Sequence, residues 1–279
     1  DCVVTSPPYW GLRDYGTAQW EGGDPNCDHQ TKRSRGDDIK QGDKQGTNLG
    51  SRPNIQTLCK CGAKRIDAQY GLEPTYQEHI QNIVELFRAM KPKLKDSATI
   101  WLNYGDCYAT AKNGRDASNI VGDDRTFRNK PFTTIQGKLK NKDLVMMPNR
   151  IAIALQDDGW WIRSEIIWHK PNPMPESVTD RPTSAHEKIW LITKSKKYYY
   201  DADAIKEPCT TFDSNIRDRD TTKLNNTPGR TRMAGLKKNN YTLKNKRNVW
   251  KVSTKPFKEA HFATFPKDLI EPCIKAGCP

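Results

Sequence analysis

Apolar positions recur along this chain with two rhythms, one helical and one alternating, and polar stretches without either rhythm separate them. Ile80, Ile83, Val84, Phe87 and Met90 fall at i, i+3, i+4, i+7 and i+10, which puts them on one face of a helix. Thr75, followed three residues on by Glu78, predicts a capping box at its start, and Pro92 closes the pattern. A second helix is predicted from Pro148, a residue suited to the first helical position, with Ile151, Ala152 and Leu155 inward and Gly159 as the stop. A third covers Phe265 to Ala276, with Pro266 near its start, Leu269, Ile270, Cys273 and Ile274 inward, and Gly277 at its end.

Strands are predicted where apolar runs are short. Asp1 to Tyr9 reads as a buried strand running into a Pro-Pro turn, and Ala98 to Asn103 as a buried strand ending in a Gly-Asp turn. Trp160 to Trp168 alternates, with Trp160, Ile162, Ser164, Ile166 and Trp168 on one side and Trp161, Arg163, Glu165 and Ile167 on the other. Lys188 to Thr193 is a further strand, and Tyr198-Tyr199-Tyr200 reads as edge-strand packing. Strands separated by helices, with no internal repeat, predict a three-layer α/β sheet.

The polar stretches are long. Gly11 to Tyr70 is turn-rich, and Gly36 to Ser51 has almost no apolar residue, so a mobile loop is expected there. Ala109 to Lys142 is a second polar loop, and Lys206 to Arg247 is rich in Asn, Thr and Lys. The 279 residues, 35% hydrophobic and 28% charged, suffice for one large α/β domain. No run approaches the roughly 20 apolar residues of a membrane span, and no charged-then-apolar signal segment opens the chain. A cytoplasmic protein without a membrane partner is expected. The start at Asp1 without Met, and the stop at Pro279 just past a helix, read as the cut ends of a longer protein.

Charge changes the picture. The chain carries 46 Lys and Arg against 33 Asp and Glu, a net +13. From Lys206 to Lys258 there are 14 basic and 4 acidic residues, and from Lys32 to Arg65 there are 9 and 3. Two basic stretches on a near-neutral scaffold predict a polyanionic partner, with solvated loops as the alternative. Arg217, Arg219, Arg230, Arg232, Lys237, Lys238, Lys246 and Arg247 are the candidate phosphate and base-edge contacts.

Eight cysteines without a secretion signal predict reduced thiols. Most, Cys2 included, sit in packing contexts. Cys27, His29, Cys59 and Cys61 differ, because three thiolates and an imidazole satisfy tetrahedral zinc and Gly62 fits the tight turn of a zinc knuckle. The Cys-x-Cys spacing is shorter than the usual gap, so unliganded loop cysteines stay open as the other reading.

Ser6-Pro7-Pro8-Tyr9 is the sharpest signal. A strand ending in this turn stands at the carboxyl edge of a parallel sheet, where α/β folds bind ligands. Prolines lack an N–H, so their neighbouring carbonyls are left as acceptors; Ser6 adds a hydroxyl and Tyr9 a flat ring. Acceptors beside a stacking ring fit the exocyclic amine of a base taken out of the duplex.

With these residues the chain resembles the S-adenosylmethionine-dependent DNA amino-methyltransferases of bacteria and phages, of the N4-cytosine and N6-adenine type. Trp101-Leu-Asn-Tyr-Gly-Asp106, His169-Lys170-Pro171-Asn172-Pro173 and His261-Phe-Ala-Thr-Phe-Pro266 follow in the order of the permuted β group. The resemblance implies a Rossmann-like class I methyltransferase sheet in permuted motif order, incomplete and with loop insertions. It implies that residues 1–279 are a partial catalytic domain, with a possibly zinc-bearing insertion at 20–70 and a target-recognition insertion at 206–255. It implies catalytic roles for Ser6, Pro7, Pro8 and Tyr9, and a cofactor contact by Phe262, Thr264, Phe265 and Pro266. The Ser form of the signature implies cytosine N4. Adenine N6 is the first alternative and a non-catalytic DNA-binding protein the second. Double-stranded DNA and a cognate restriction enzyme are the partners the resemblance implies. His169 to Pro173 is either a rim of the active site or a structural turn, and His186 and His261 read as entry residues of the elements that follow them. The family's Asp-Pro-Phe-x-Gly-x-Gly cofactor loop has no counterpart here, since no Gly-x-Gly occurs in the 279 residues. The fragment alone is therefore expected to bind the cofactor weakly and to be inactive.

Overall fold

In chain order the elements are strands β1 (Cys2–Thr5), β2 (Gln19–Glu21) and β3 (Lys64–Ile66), helix α1 (Tyr76–Met90), strand β4 (Thr99–Tyr104) and helix α2 (Met147–Asp157). Strands β5 (Trp161–His169), β6 (His186–Thr193), β7 (Glu207–Pro208), β8 (Leu243–Lys244) and β9 (Val249–Lys251) and helix α3 (Lys267–Gly277) complete them. This computed structural model describes residues 1–12, 19–27, 59–110, 134–209, 242–255 and 264–279. The expected loop at 36–51 lies outside the described residues.

Five strands form one sheet in the order β1-β4-β6-β5-β9. β1 pairs with β4 in parallel, β6 is antiparallel to both β4 and β5, and β9 is parallel to β5. Four strands thus point one way and β6 alone runs back between two of them. The carboxyl ends of β1, β4 and β5 and the amino end of β6 consequently meet along one edge.

Helices cover both faces, as expected of three layers. Val3, Ile100, Leu102, Tyr104, Trp190 and Ile192 pack toward α1 and α2, while Cys2, Val4, Trp101, Ile189 and Leu191 pack toward α3. Neighbouring residues on each strand go to opposite layers because strand side chains alternate. Helix α1 has the predicted capping box, with the Thr75 hydroxyl accepting from the Glu78 N–H and the Glu78 carboxylate from the Thr75 N–H. It buries Ile83, Val84 and Phe87, each contributing about 1.5–3 kcal/mol. Pro148 lies in the first turn of α2, which buries Ile151, Ala152 and Leu155.

Four expectations are corrected. The alternation of Trp160 to Trp168 is broken by a bulge between Ile162 and Ser164. The extra residue, Arg163, switches the parity, so Trp160 and Ile162 face α1 and α2 while Ile166 and Trp168 face α3. In α3 it is Leu269, Cys273 and Ala276 that are buried, whereas Ile274 is exposed, since 3.6 residues per turn rotate it off the stripe. β1 is half-buried rather than buried, because it stands at the edge of the described sheet. Tyr198 to Tyr200 is irregular rather than strand, although Tyr200 stacks on Trp101.

Two short ladders stand apart from the sheet: β2 with β3, and β7 with β8, both antiparallel. The second sets Glu207–Pro208 against Leu243–Lys244, and beside it the Cys209 N–H donates to the Thr242 carbonyl at 2.9 Å. Among the described residues no helix is long and apolar enough to cross a membrane.

Candidate active site

The Ser6–Tyr9 turn leaves β1 at the edge where the strand ends meet. Pro7 is buried and Ser6, Pro8 and Tyr9 are half-buried. The Ser6 hydroxyl donates to Tyr9 Oη at 3.3 Å, and the Tyr9 hydroxyl donates to Glu187 Oε2 at 2.9 Å. Asn103 Nδ2 donates to both, at 3.1 Å to Tyr9 Oη and 2.7 Å to Glu187 Oε2. Lys170 pairs with the other oxygen of Glu187, and its ammonium stands 4.4 Å from the centre of the Trp168 ring. The Glu187 carboxylate is therefore satisfied by a cation and two neutral donors, as a half-buried charge requires. Burial, with Glu187 beside it, holds the Tyr9 hydroxyl well above its ordinary pKa, so it remains a donor.

Beneath the turn runs a second chain of hydrogen bonds. The Trp10 backbone N–H donates to Tyr104 Oη at 2.8 Å, Tyr104 Oη lies 2.7 Å from His79 Nε2, and His79 Nδ1 lies 2.8 Å from Glu73 Oε2. With Nδ1–H toward the carboxylate, Nε2 accepts the Tyr104 proton and every member is satisfied. Glu73 also accepts from the Gly71 N–H at 2.8 Å and from Asn82 Nδ2 at 3.0 Å, and its carbonyl accepts from Trp10 Nε1 at 3.0 Å. Burial alone raises the Glu73 carboxyl, but its hydrogen bonds, that with His79 first and that with Asn82 after it, outweigh burial and hold the group below its ordinary pKa. Gly71 is required here: its φ is +91°, and a Cβ would stand 2.7 Å from the Tyr9 carbonyl oxygen.

Reasoning from sequence missed Asn103, Glu187, Glu73, His79 and Tyr104 as parts of the site. A signal existed for the first two: Asn103 is a polar residue near the edge-facing end of the apolar run of β4, and Glu187 stands in the polar start of β6, ahead of its apolar run. In His169 to Pro173, Lys170 pairs with Glu187 beside the turn, while Asn172 pins the chain by exchanging hydrogen bonds with Thr254 at 3.0–3.3 Å. His186 begins β6, as an entry residue.

Phe265 and Leu269 line a narrow cleft with Val4, Trp101 and Asn103. Asn103 is buried, and its Oδ1 is without a hydrogen-bond partner among the described residues. An orphaned acceptor near the Glu187 carboxylate, beside an aromatic wall, fits the ammonium and thioether end of a methionine-like group. Thr264 is half-buried and Pro266 caps α3, whereas Phe262 and His261 lie outside the described residues.

Cys27, Cys59 and Cys61 converge, their sulfurs within 4.8 Å of one another. Hydrogen bonding, from the Ala63 backbone first, pulls the Cys61 thiol down to about 6. His29 lies outside the described residues. Cys2 is half-buried and Cys273 buried, and burial raises both thiols, that of Cys273 to about 12. Neither is poised as a nucleophile. Of the basic candidates, Arg247 pairs with Glu207 at 2.6 Å and Lys246 lies 5.2 Å from the Trp250 ring centre. Arg217, Arg219, Arg230, Arg232, Lys237 and Lys238 lie outside the described residues.

A sheet with one reversed strand, helices on both faces and an acceptor-bearing turn at its carboxyl edge defines a class I methyltransferase fold. Residues 1–279 match the family described as DNA methylase, and the chain belongs to it. It is 37% identical over 276 residues to the type II methyltransferase M.Cfr9I of Citrobacter freundii, covering 99% of this chain and 65% of that protein. It is 37% identical over 277 residues to M.SmaI of Serratia marcescens, covering 99% and 68%. Among solved structures, the PvuII DNA methyltransferase (cytosine-N4-specific) aligns with a TM-score of 0.44 and 15% identity over 81% of this chain and 61% of that one. The chain spans 65% of the length of M.Cfr9I and of M.XycI from Xanthomonas campestris pv. cyanopsidis.

Proposed function

We propose that this chain is the base-binding part of an S-adenosylmethionine-dependent DNA methyltransferase acting on the exocyclic amine of an everted base, cytosine N4. The observation that carries the reading is the Ser6–Tyr9 turn, a hydroxyl and prolyl carbonyls at the sheet edge beside a tyrosine held by Ser6, Asn103 and Glu187. The relatives' names, type II methyltransferases, support the reaction class, and a cognate restriction enzyme is the partner that the family resemblance implies. Ser6 at the head of the tetrapeptide supports cytosine, through the family resemblance. A bacterial or phage-encoded protein working on DNA in the cytoplasm follows from the same reading.

S-adenosylmethionine, when bound, supplies an electrophilic methyl group on a sulfonium. Phe262, Thr264, Phe265, Pro266 and the orphaned Asn103 Oδ1 would hold its methionine end. The chain's own groups prepare the acceptor. An exocyclic amine is a weak nucleophile because its lone pair is delocalised into the ring. Ser6 Oγ and the Pro7 carbonyl accept hydrogen bonds from its N–H groups, which favours tetrahedral nitrogen and frees the lone pair. The Ser6 proton is directed to Tyr9, so lone pairs on Oγ are left for the amine. Tyr9 stacks on the base with its tilt set by Tyr104, 4.5 Å away between ring centres. Such orientation contributes up to about 7–11 kcal/mol in ideal cases. The basic residues from Arg217 to Arg247 carry DNA contacts.

DNA from cells expressing the gene that carries these residues, digested to nucleosides and examined by mass spectrometry, tests the reading. N4-methylcytosine is expected, N6-methyladenine moves the acceptor to adenine, and neither modification leaves a DNA-binding protein without methyl transfer. Since the 279 residues hold no Gly-x-Gly loop, they bind the cofactor weakly by themselves, and micromolar affinity in calorimetry overturns that point.

A further inference from the structure

The cysteine cluster stands apart from methyl transfer and is built from local geometry. Cys27 Sγ and Cys59 Sγ are 3.6 Å apart, far beyond a disulfide bond of about 2.05 Å. The separation matches the roughly 3.8 Å between two thiolates at Zn–S distances of about 2.3 Å in a tetrahedron. The backbone is shaped around these sulfurs. The Gly62 N–H donates to the Cys59 carbonyl at 2.9 Å and the Cys59 N–H to the Ala63 carbonyl at 2.7 Å, so Cys59 to Ala63 wraps into a knuckle. Gly23, at φ +75°, lets the opposite limb approach, since a Cβ there would lie 2.6 Å from the Ala63 nitrogen and 2.8 Å from Cys61 Sγ. The ladder above the cluster has only three residues in each strand, β2 and β3, too few to hold by pairing alone.

We propose that Cys27, Cys59 and Cys61 bind one structural zinc ion, which staples the 19–27 and 59–66 segments together. Three borderline-soft thiolates select zinc over hard cations. They leave one tetrahedral position open to a fourth ligand. The ion forms coordinate bonds to thiolates as their protons are released, and no redox step is involved.

The full chain, purified without chelator, is assayed for metal and for thiol reactivity toward a maleimide. About one zinc per chain is expected, with three of the eight cysteines protected until a strong chelator is added. Cobalt(II) in place of zinc should show intense sulfur-to-metal charge-transfer absorption, lost in Cys59→Ser and in Cys61→Ser. Zinc near background in the unaltered chain, or identical alkylation with and without chelator, overturns the proposal even where the variants do not fold. Zinc retained at full occupancy in both folded variants overturns it too.

Discussion

The Ser6–Tyr9 turn and the cysteine hairpin are two polar departures from one fold, and they are held in opposite ways. The turn is braced from a distance: Tyr104 and Asn103 come from β4, Glu187 from β6, Lys170 from the end of β5 and His79 from α1. The hairpin is braced by itself, through a knuckle, a close-approach glycine and three sulfurs. A turn fixed by buried and half-buried side chains from four elements keeps its geometry only while the whole sheet is folded. A hairpin fixed by local bonds and a metal can be lost or kept with the sheet intact. Placement of reacting groups calls for the first kind of support, because small displacements there are costly in rate.

The largest effect that can break this contrast lies at the turn. Ser6→Ala and Tyr9→Ala, made in the complete gene product, are expected to lower methyl transfer by at least about 100-fold, some 3 kcal/mol. Their Tm should stay within a few degrees of the parent, and near-normal turnover in both refutes the roles given to them. Gly71→Ala comes next, since it combines a positive φ with a collision against the Tyr9 carbonyl. It should cost about 1–3 kcal/mol in urea unfolding and reduce transfer as well. Gly23→Ala, its counterpart in the hairpin, should lower metal content while leaving the urea midpoint of the sheet almost unchanged.

Tyr104→Phe is expected to cost about 1–3 kcal/mol, because it strands the Trp10 N–H in a buried site. Loss of the same stability in a Tyr9→Phe control would remove the distinction between the two hydrogen-bond chains. The smallest effect is a pH dependence. The Glu73 carboxyl is held below its ordinary value of 4.5 by His79, despite burial, so it contributes stability that is present above about pH 4.5. That contribution is lost as pH falls through the lower, folded value. Glu73→Gln should flatten urea midpoints plotted against pH in this acid window, and an unchanged slope contradicts the assignment.

Much of this was legible in the chain, and what was legible was local. Thr75 and Glu78 announced α1 because a capping box lies within four residues, and Pro148 announced α2 for the same reason. The Ser6–Tyr9 turn was legible because two prolines after a strand restrict the backbone wherever they occur. The partners of the turn were not. Glu187 lies 178 positions from Tyr9 and Tyr104 lies 94 from Trp10, and no periodicity links such pairs. The bulge at Arg163 escaped for a related reason: alternation is a rule for paired strands, and where the pairing slips is decided by the partner, here Ile192 and Leu191 of β6.

Residue order alone therefore determined the three helices, four of the five strands of the main sheet, the family membership and the chemical types present: acceptors after β1, thiols at 27, 59 and 61, and basic side chains beyond 206. Tertiary structure decided which of them meet. By running β6 backwards between β4 and β5, it carried Glu187 to the carboxyl edge beside Tyr9 and Asn103, where burial turns weak polar contacts into a fixed site. Short-range sterics and capping operate on neighbours in the chain. Burial and electrostatics operate on neighbours in space, and only the folded sheet defines those.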